Sequence, residues 1–230
     1  MAGCWGKPRR ARENTIEAFA LAREDGADGV ELDVHRSADG ALVVHHDAEI
    51  EGFGVLADRS HEEIVATFPW LPTLPAVLDE CAGLLVNIEI KNSPKDADFD
   101  PDEAVAAAVV ELLASRAGAD RVLVSSFHLP TIDAVHGLDP TIRTGYLTVL
   151  HPAPLDAVAV AVAHGHAAVH PFFGTLDADA APAVAAGAHA SGVAVNTWTV
   201  NEPDDIARLA AVGIDAIVTD VPAIARAALT

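Results

Sequence analysis

Two short runs carry acidic residues at alternate positions, Glu31-Leu32-Asp33 and Asn87-Ile88-Glu89-Ile90-Lys91. On a β-strand, residues two apart point to the same face. Each run therefore gathers its polar groups on one side and its apolar groups on the other. Two carboxylates on an inward face are unfavourable unless positive charge compensates them. Glu89 adds a third carboxylate on the next principal strand, and three converging carboxylates suit a hard cation, Mg²⁺ or Ca²⁺. Lys91, on the face of Glu89, is placed to bind an anionic oxygen of a substrate. Two plainer readings compete: an edge strand with Glu31 and Asp33 in solvent, and a buried Glu89–Lys91 pair that only orders the core. Gly29-Val30, Leu32 and Val34 suit a buried strand and speak against the first reading. The two runs together speak against the second.

His45-His46-Asp47 ends the apolar run Val43-Val44. Strand alternation sends one of these histidines inward and the other away. An inward histidine beside a metal is a candidate general acid or base. Ser125-Ser126-Phe127 and Asn196-Thr197-Trp198-Thr199 also end strands. Trp198 is either a wall of the pocket or an aromatic packing its rim. His170 ends a strand and is a further pocket candidate; His61, His128, His136, His151, His164, His166 and His189 are assigned no role. There is no phosphate-cradling glycine loop, no G-x-S-x-G elbow, no HExxH and no dinucleotide fingerprint.

These groups need a scaffold. Short Val/Ile runs alternate with Ala-rich helical stretches, the rhythm of a parallel sheet with crossover helices. A helix is expected from Asn14 to Asp25, with Asn14 and Glu17 as a capping box. Ser60-His61-Glu62-Glu63 reads as another capping box, and Asp100-Pro101 with Glu103 as a helix start. Seven strand-then-helix steps end near His35, Ile90, Phe127, Leu147, Pro171, Thr199 and Thr219. The run Ala41 to His46 is an extension beside the second of them. Polar residues recur where strands end, which favours an α/β barrel of the TIM (β/α)₈ type over an open doubly wound sheet. The first strand of that barrel is missing, because Met1 to Gly6 is too short and too glycine-rich to supply it. No linker divides residues 1–230, so a single domain is expected.

The 230 residues are 51% hydrophobic and 21% charged, which suits a large core rather than disorder. With 34 acidic against 14 basic residues the formal net charge is −20, which argues against nucleic acid or an anionic membrane as partner. No apolar run is long enough for stable membrane insertion. Cys4 and Cys81 make neither a CxxC pair nor a disulfide framework. The opening MAGCWGKPRRAREN lacks the apolar segment of a signal peptide, so the chain as it stands is expected to be cytoplasmic. Oligomeric state is not written in the sequence.

The chain resembles the glycerophosphodiester phosphodiesterases. The resemblance rests on Glu13-Asn14-Thr15 with Ala18-Phe19, on residues 26–34 (GADGVELDV), and on Asp39-Gly40 followed by Val43-Val44-His45-His46-Asp47. It continues through residues 87–91 (NIEIK), Ser125-Ser126-Phe127, Trp198-Thr199-Val200-Asn201 and residues 213–220 (GIDAIVTD). It implies a TIM barrel that hydrolyses small-molecule glycerophosphodiesters to an alcohol and glycerol 3-phosphate with a divalent metal, Mg²⁺ or Ca²⁺. It implies Glu31, Asp33 and Glu89 as metal carboxylates, His46 as a catalytic histidine and Lys91 as the phosphate-contacting lysine.

One departure stands out. The family carries His-Arg-Gly at the end of its first strand, yet no histidine precedes His35 here. Counting back from Glu13 puts Cys4-Trp5-Gly6 in that place, and a longer loop puts the motif at or before Met1, with Gly3 as its glycine. The expectation is a truncated N-terminus, which would leave a secreted origin open and impair turnover. The alternatives are a degenerate homologue that binds glycerophosphodiesters without turnover, and a phospholipase D-like lyase that forms a cyclic phosphate.

Overall fold

The computed structural model describes residues 11–116, 118 and 121–230. Met1 to Gly6, with Cys4-Trp5-Gly6, lie outside the described residues.

The chain enters through α1 (Ile16–Glu24) and then β1 (Gly29–Arg36). β2 (Leu42–Val44) returns beside β1, and a small hairpin, β3 (Glu49–Ile50) and β4 (Gly54–Val55), leads to α2 (His61–Thr67) and α3 (Leu74–Glu80). Strand and helix then alternate: β5 (Leu85–Ile90), α4 (Ala104–Ala114), β6 (Val122–Ser126), α5 (Leu129–Leu138), β7 (Arg143–Thr148), α6 (Pro154–His164). The series closes with β8 (Ala168–Pro171), α7 (Ala180–Ala190), β9 (Ala194–Thr197), α8 (Pro203–Ala211), β10 (Ala216–Ile217) and α9 (Pro222–Ala228). The main sheet runs β10-β9-β8-β7-β6-β5-β1-β2. Its other seven strands are joined by six parallel pairings, as the expected barrel requires, and β2 alone is antiparallel. Among the described residues, no strand precedes α1.

The sheet has the predicted two-sidedness. Leu32, Val34, Ile88 and Ile90 are at most 1% exposed and pack under α1, α3 and α4. Each such side chain contributes about 1.5–3 kcal/mol of burial. A second cluster, including Val169, Val195, Ile206 and Leu209, fills the space under α6, α7 and α8. Gly29 is required where β1 meets β5, since a Cβ there would lie 2.7 Å from the carbonyl oxygen of Leu85. No helix among the described residues is long and apolar enough to cross a membrane.

Two expected helix starts are corrected. Thr15, not Asn14, caps α1: its hydroxyl accepts from the N–H of Ala18, while Asn14 takes a left-handed φ of 55° and turns away. α4 begins at Ala104 rather than at Pro101, with Glu103 also left-handed at φ 56°. Asp100 still serves the helix, accepting from the N–H of Ala104 at 3.0 Å. The Ser60–Glu63 capping box is present as expected.

Candidate active site

β1 and β5 are neighbours in register, with Glu31 opposite Asn87 and Asp33 opposite Glu89. Their shared face brings Glu31, Asp33 and Glu89 together, with one carboxylate oxygen of each within 4.8 Å of the others. Lys91 Nζ donates to Glu89 Oε1 at 2.9 Å and lies 3.4 Å from Asp33 Oδ1. Three carboxylates and one ammonium sum to −2 when all are ionised. Burial, and then the charges of Asp33 and Glu89, push the Glu31 carboxyl well above its ordinary range. Burial likewise pushes Glu89 up to about 7, with Lys91 working against the rise. Burial alone would lower Lys91; the carboxylates of Glu89 and Asp33 outweigh it and hold the ammonium on. The cluster is thus short of two positive charges, and its donors are all hard oxygens, which fits a divalent cation.

The antiparallel return of β2 delivers the histidines. Val34 pairs with Val44, and the N–H of His45 donates to the carbonyl of Asp33 at 3.1 Å. Strand character ends at Val44, so the expected alternation does not continue: both His45 and His46 line one pocket of about 230 Å³ with Arg12, Glu13, Asn14 and Trp70. His45 turns its ring toward Trp70, with ring centroids 6.1 Å apart. The Arg12 guanidinium lies 3.8 Å from the centroid of the Trp70 ring, within cation–π range. His46 Nδ1 donates to Asp47 Oδ1 at 2.8 Å. Chiefly that bond, and then the nearby histidine charges, hold Asp47 below its usual range. It leaves Nε2 as the nitrogen available for proton transfer.

Two residues to which sequence reasoning gave no part in the site hold this arrangement. Asn14 Nδ2 donates to Asp33 Oδ2 at 2.8 Å, and Asn14 Oδ1 accepts from the N–H of Asp33 at 3.2 Å. The left-handed Asn14 is the signal that could have found it, because the unusual φ aims the amide away from its own helix. His35, 1% exposed, donates from Nδ1 to Asp98 Oδ2 at 2.6 Å, and its Nε2 lies 3.3 Å from the carbonyl of His46.

Trp198 directly follows β9. It is not among the residues lining that pocket. Its Nε1 donates to the carbonyl of His170 at 2.8 Å, and its ring meets Phe127 and Phe172 at 5.4 and 5.5 Å. His170 is 2% exposed, 3.0 Å from Asn196 Nδ2, and burial pushes it down to about 4. Gly145 makes room for it, since a Cβ there would lie 2.5 Å from His170 Nε2. Cys81 is a buried free thiol, pushed up to about 11 by burial.

Residues 6–224 match the model of the Glycerophosphoryl diester phosphodiesterase family. The chain belongs to this family. A glycerophosphodiester phosphodiesterase of Caldanaerobacter subterraneus subsp. tengcongensis is 30% identical, over 94% of this chain and 92% of the relative. The crystal structure of a glycerophosphodiester phosphodiesterase from Thermotoga maritima superposes with TM-score 0.79 at 27% identity, covering 94% of this chain and 91% of that one. An Oleispira antarctica phosphodiesterase, solved with the product sn-glycerol-3-phosphate, shares the fold at TM-score 0.82 and 24% identity, covering 96% of this chain and 92% of that one. The glycerophosphoryl diester phosphodiesterase family is thus the setting in which the β1–β5 carboxylates stand, and the fold is the family's TIM-type barrel.

Proposed function

We propose that the chain hydrolyses glycerophosphodiesters to an alcohol and glycerol 3-phosphate, using a divalent cation, Mg²⁺ or Ca²⁺. The observation that carries the reading is the convergence of Glu31, Asp33 and Glu89 beside Lys91, with His46 on the adjoining loop. Glu31, Asp33 and Glu89 hold the cation. Once bound, it offsets negative charge on the phosphoryl oxygens.

The protein groups then have separable tasks. Lys91 donates to Glu89 and pairs with Asp33, and its three-donor ammonium is placed to serve a phosphoryl oxygen as well. Arg12, on the pocket rim over Trp70, adds the positive charge an anionic substrate needs on a protein of net charge −20. His46 Nε2 gives a proton to the departing alcohol oxygen as water attacks phosphorus, and takes back the proton that the attacking water sheds in leaving its hydroxyl on phosphorus, while Asp47 fixes the opposite ring nitrogen. Asn14 and His35 are positioning residues: one fixes Asp33, the other the backbone of His46. The product bound by the Oleispira relative, sn-glycerol-3-phosphate, is the product assigned here.

In the sequence as given no histidine precedes His35, and the proton transfers are assigned to His46. The same feature favours the second reading, binding of glycerophosphodiesters without turnover. The deciding experiment is an assay of glycerophosphocholine with Mg²⁺, Ca²⁺ or Mn²⁺, followed by phosphorus NMR. Metal-dependent glycerol 3-phosphate that disappears in Glu89→Ala is the expected result. A cyclic phosphate product would mean a lyase. Calorimetric binding with no product would establish the non-catalytic reading, and neither binding nor product would sink both.

A further inference from the structure

A second group of ligating side chains lies at the other end of the barrel, where α5 and α6 finish and β8 begins. Asp133 projects from α5, His164 is the last residue of α6, and His166 precedes β8. One potential ligand atom from each lies within 4.8 Å of the other two. His164 Nδ1 is 2.9 and 3.0 Å from the two Asp133 oxygens, and His166 Nε2 is 3.2 Å from Oδ1. The His164 and His166 rings stack, with centroids 5.9 Å apart and planes 20° apart. His136, one turn after Asp133 on α5, brings its ring centroid to 6.2 Å from that of His166.

An ordinary ion-pair network does not account for His166. The residue is 3% exposed, and its Nδ1 is 2.8 Å from Thr144 Oγ1. Its Nε2 is buried without a well-directed hydrogen bond, 3.2 Å from Asp133 Oδ1. In the tautomer that gives Nδ1–H to Thr144, Nε2 presents a lone pair toward a carboxylate oxygen that also faces His164. Two acceptors facing each other need a cation between them.

We propose that Asp133, His164 and His166 form a Zn²⁺-binding site, with His136 or a water completing a tetrahedral set. Ligand atoms about 2.0 Å from a tetrahedral zinc lie roughly 3.3 Å apart, and the Asp133 contacts of 2.9 and 3.2 Å are close to that edge length. Two imidazoles and one carboxylate suit a borderline metal, unlike the all-oxygen set of Glu31, Asp33 and Glu89. The Thr144 contact supplies the outer partner that fixes the ring of a metal-bound histidine. The ion would tie α5, α6 and the entry to β8 into one unit.

The test uses the full chain, with Co²⁺ as the spectroscopic probe for Zn²⁺. One equivalent of Co²⁺ should give the strong visible bands of four-coordinate cobalt, and Zn²⁺ should displace it. The bands should persist in Glu89→Gln and vanish in His166→Gln and in His164→Ala; His164 is 39% exposed, so that variant does not disturb the core. Zn²⁺ at a hundred times its Kd should raise the wild-type melting temperature by roughly 5–10 °C and leave His164→Ala unmoved. Bands that survive both histidine variants, or that only Glu89→Gln removes, would overturn the proposal.

Discussion

Asn14 grips Asp33 with both ends of its amide, donating to the carboxylate at 2.8 Å and accepting from the backbone N–H at 3.2 Å. The bond crosses 19 residues of chain and ties the start of α1 to the middle of β1. It leaves Asp33 Oδ1 as the oxygen that faces Lys91.

Removing that grip should weaken cation binding more than folding. In Asn14→Ala the Asp33 side chain is free to rotate, and the Mg²⁺ or Ca²⁺ concentration needed for half-maximal activity should rise by roughly 10–100-fold. A metal titration of activity reads this directly. An unchanged midpoint would mean that Asp33 is held by something else.

The metal-free cluster should be a burden on stability at alkaline pH. Glu31 has its folded pKa raised, chiefly by burial, above the ordinary 4.5. Its contribution is therefore fully present below that value and is lost as pH rises through the folded pKa. Metal-free Glu31→Gln should be more stable than wild type at pH 8 by about 1–3 kcal/mol, with the gap closing on acidification. Urea unfolding in EDTA at pH 5 and pH 8 decides it, and a wild type that is the more stable at pH 8 would refute it.

His170 should act in the opposite sense. Its folded pKa of about 4 lies below the ordinary 6.5 because the ring is buried. Its contribution is present above pH 6.5 and is lost as pH falls toward 4. The full effect is on the order of 3 kcal/mol. His170→Gln should flatten the fall in stability between those limits; an unaltered pH profile would show that another group titrates there.

His35 should matter to turnover without touching substrate. Its ring spans Asp98 and the backbone of His46, so His35→Gln loosens the loop that carries the proton donor. A drop in kcat of roughly tenfold with little change in KM is expected from a misplaced general acid. A change in KM alone would instead place His35 in ground-state binding.

The alternation of Glu31, Asp33, Asn87, Glu89 and Lys91 was readable because a strand has a period of two, and the parallel register of β1 and β5 then makes the faces coincide. The seven parallel steps were readable for a similar reason, since Val/Ile runs and Ala-rich helices differ in period. Asn14 was misread because Asn and Thr are both good caps, and only the backbone angle shows which of two adjacent residues takes the role. His35 was taken as the polar end of a strand; its partner Asp98 lies 63 residues on, beyond the reach of any local pattern. Both histidines at positions 45 and 46 reach one pocket because β2 stops at Val44, and period-two reasoning fails one residue past a strand end. His164 and His166 gain meaning only from Asp133, a helix and a strand earlier.

The β1–β5 pairing has a kinetic consequence. Asp33 and Glu89 are cross-strand partners, so the chain cannot zip these two strands together without forcing their like charges into proximity. Electrostatic repulsion is then built into a long-range contact between segments more than fifty residues apart. A divalent ion present during refolding should act as a nucleation aid, speeding the refolding limb of a chevron more than it slows the unfolding limb.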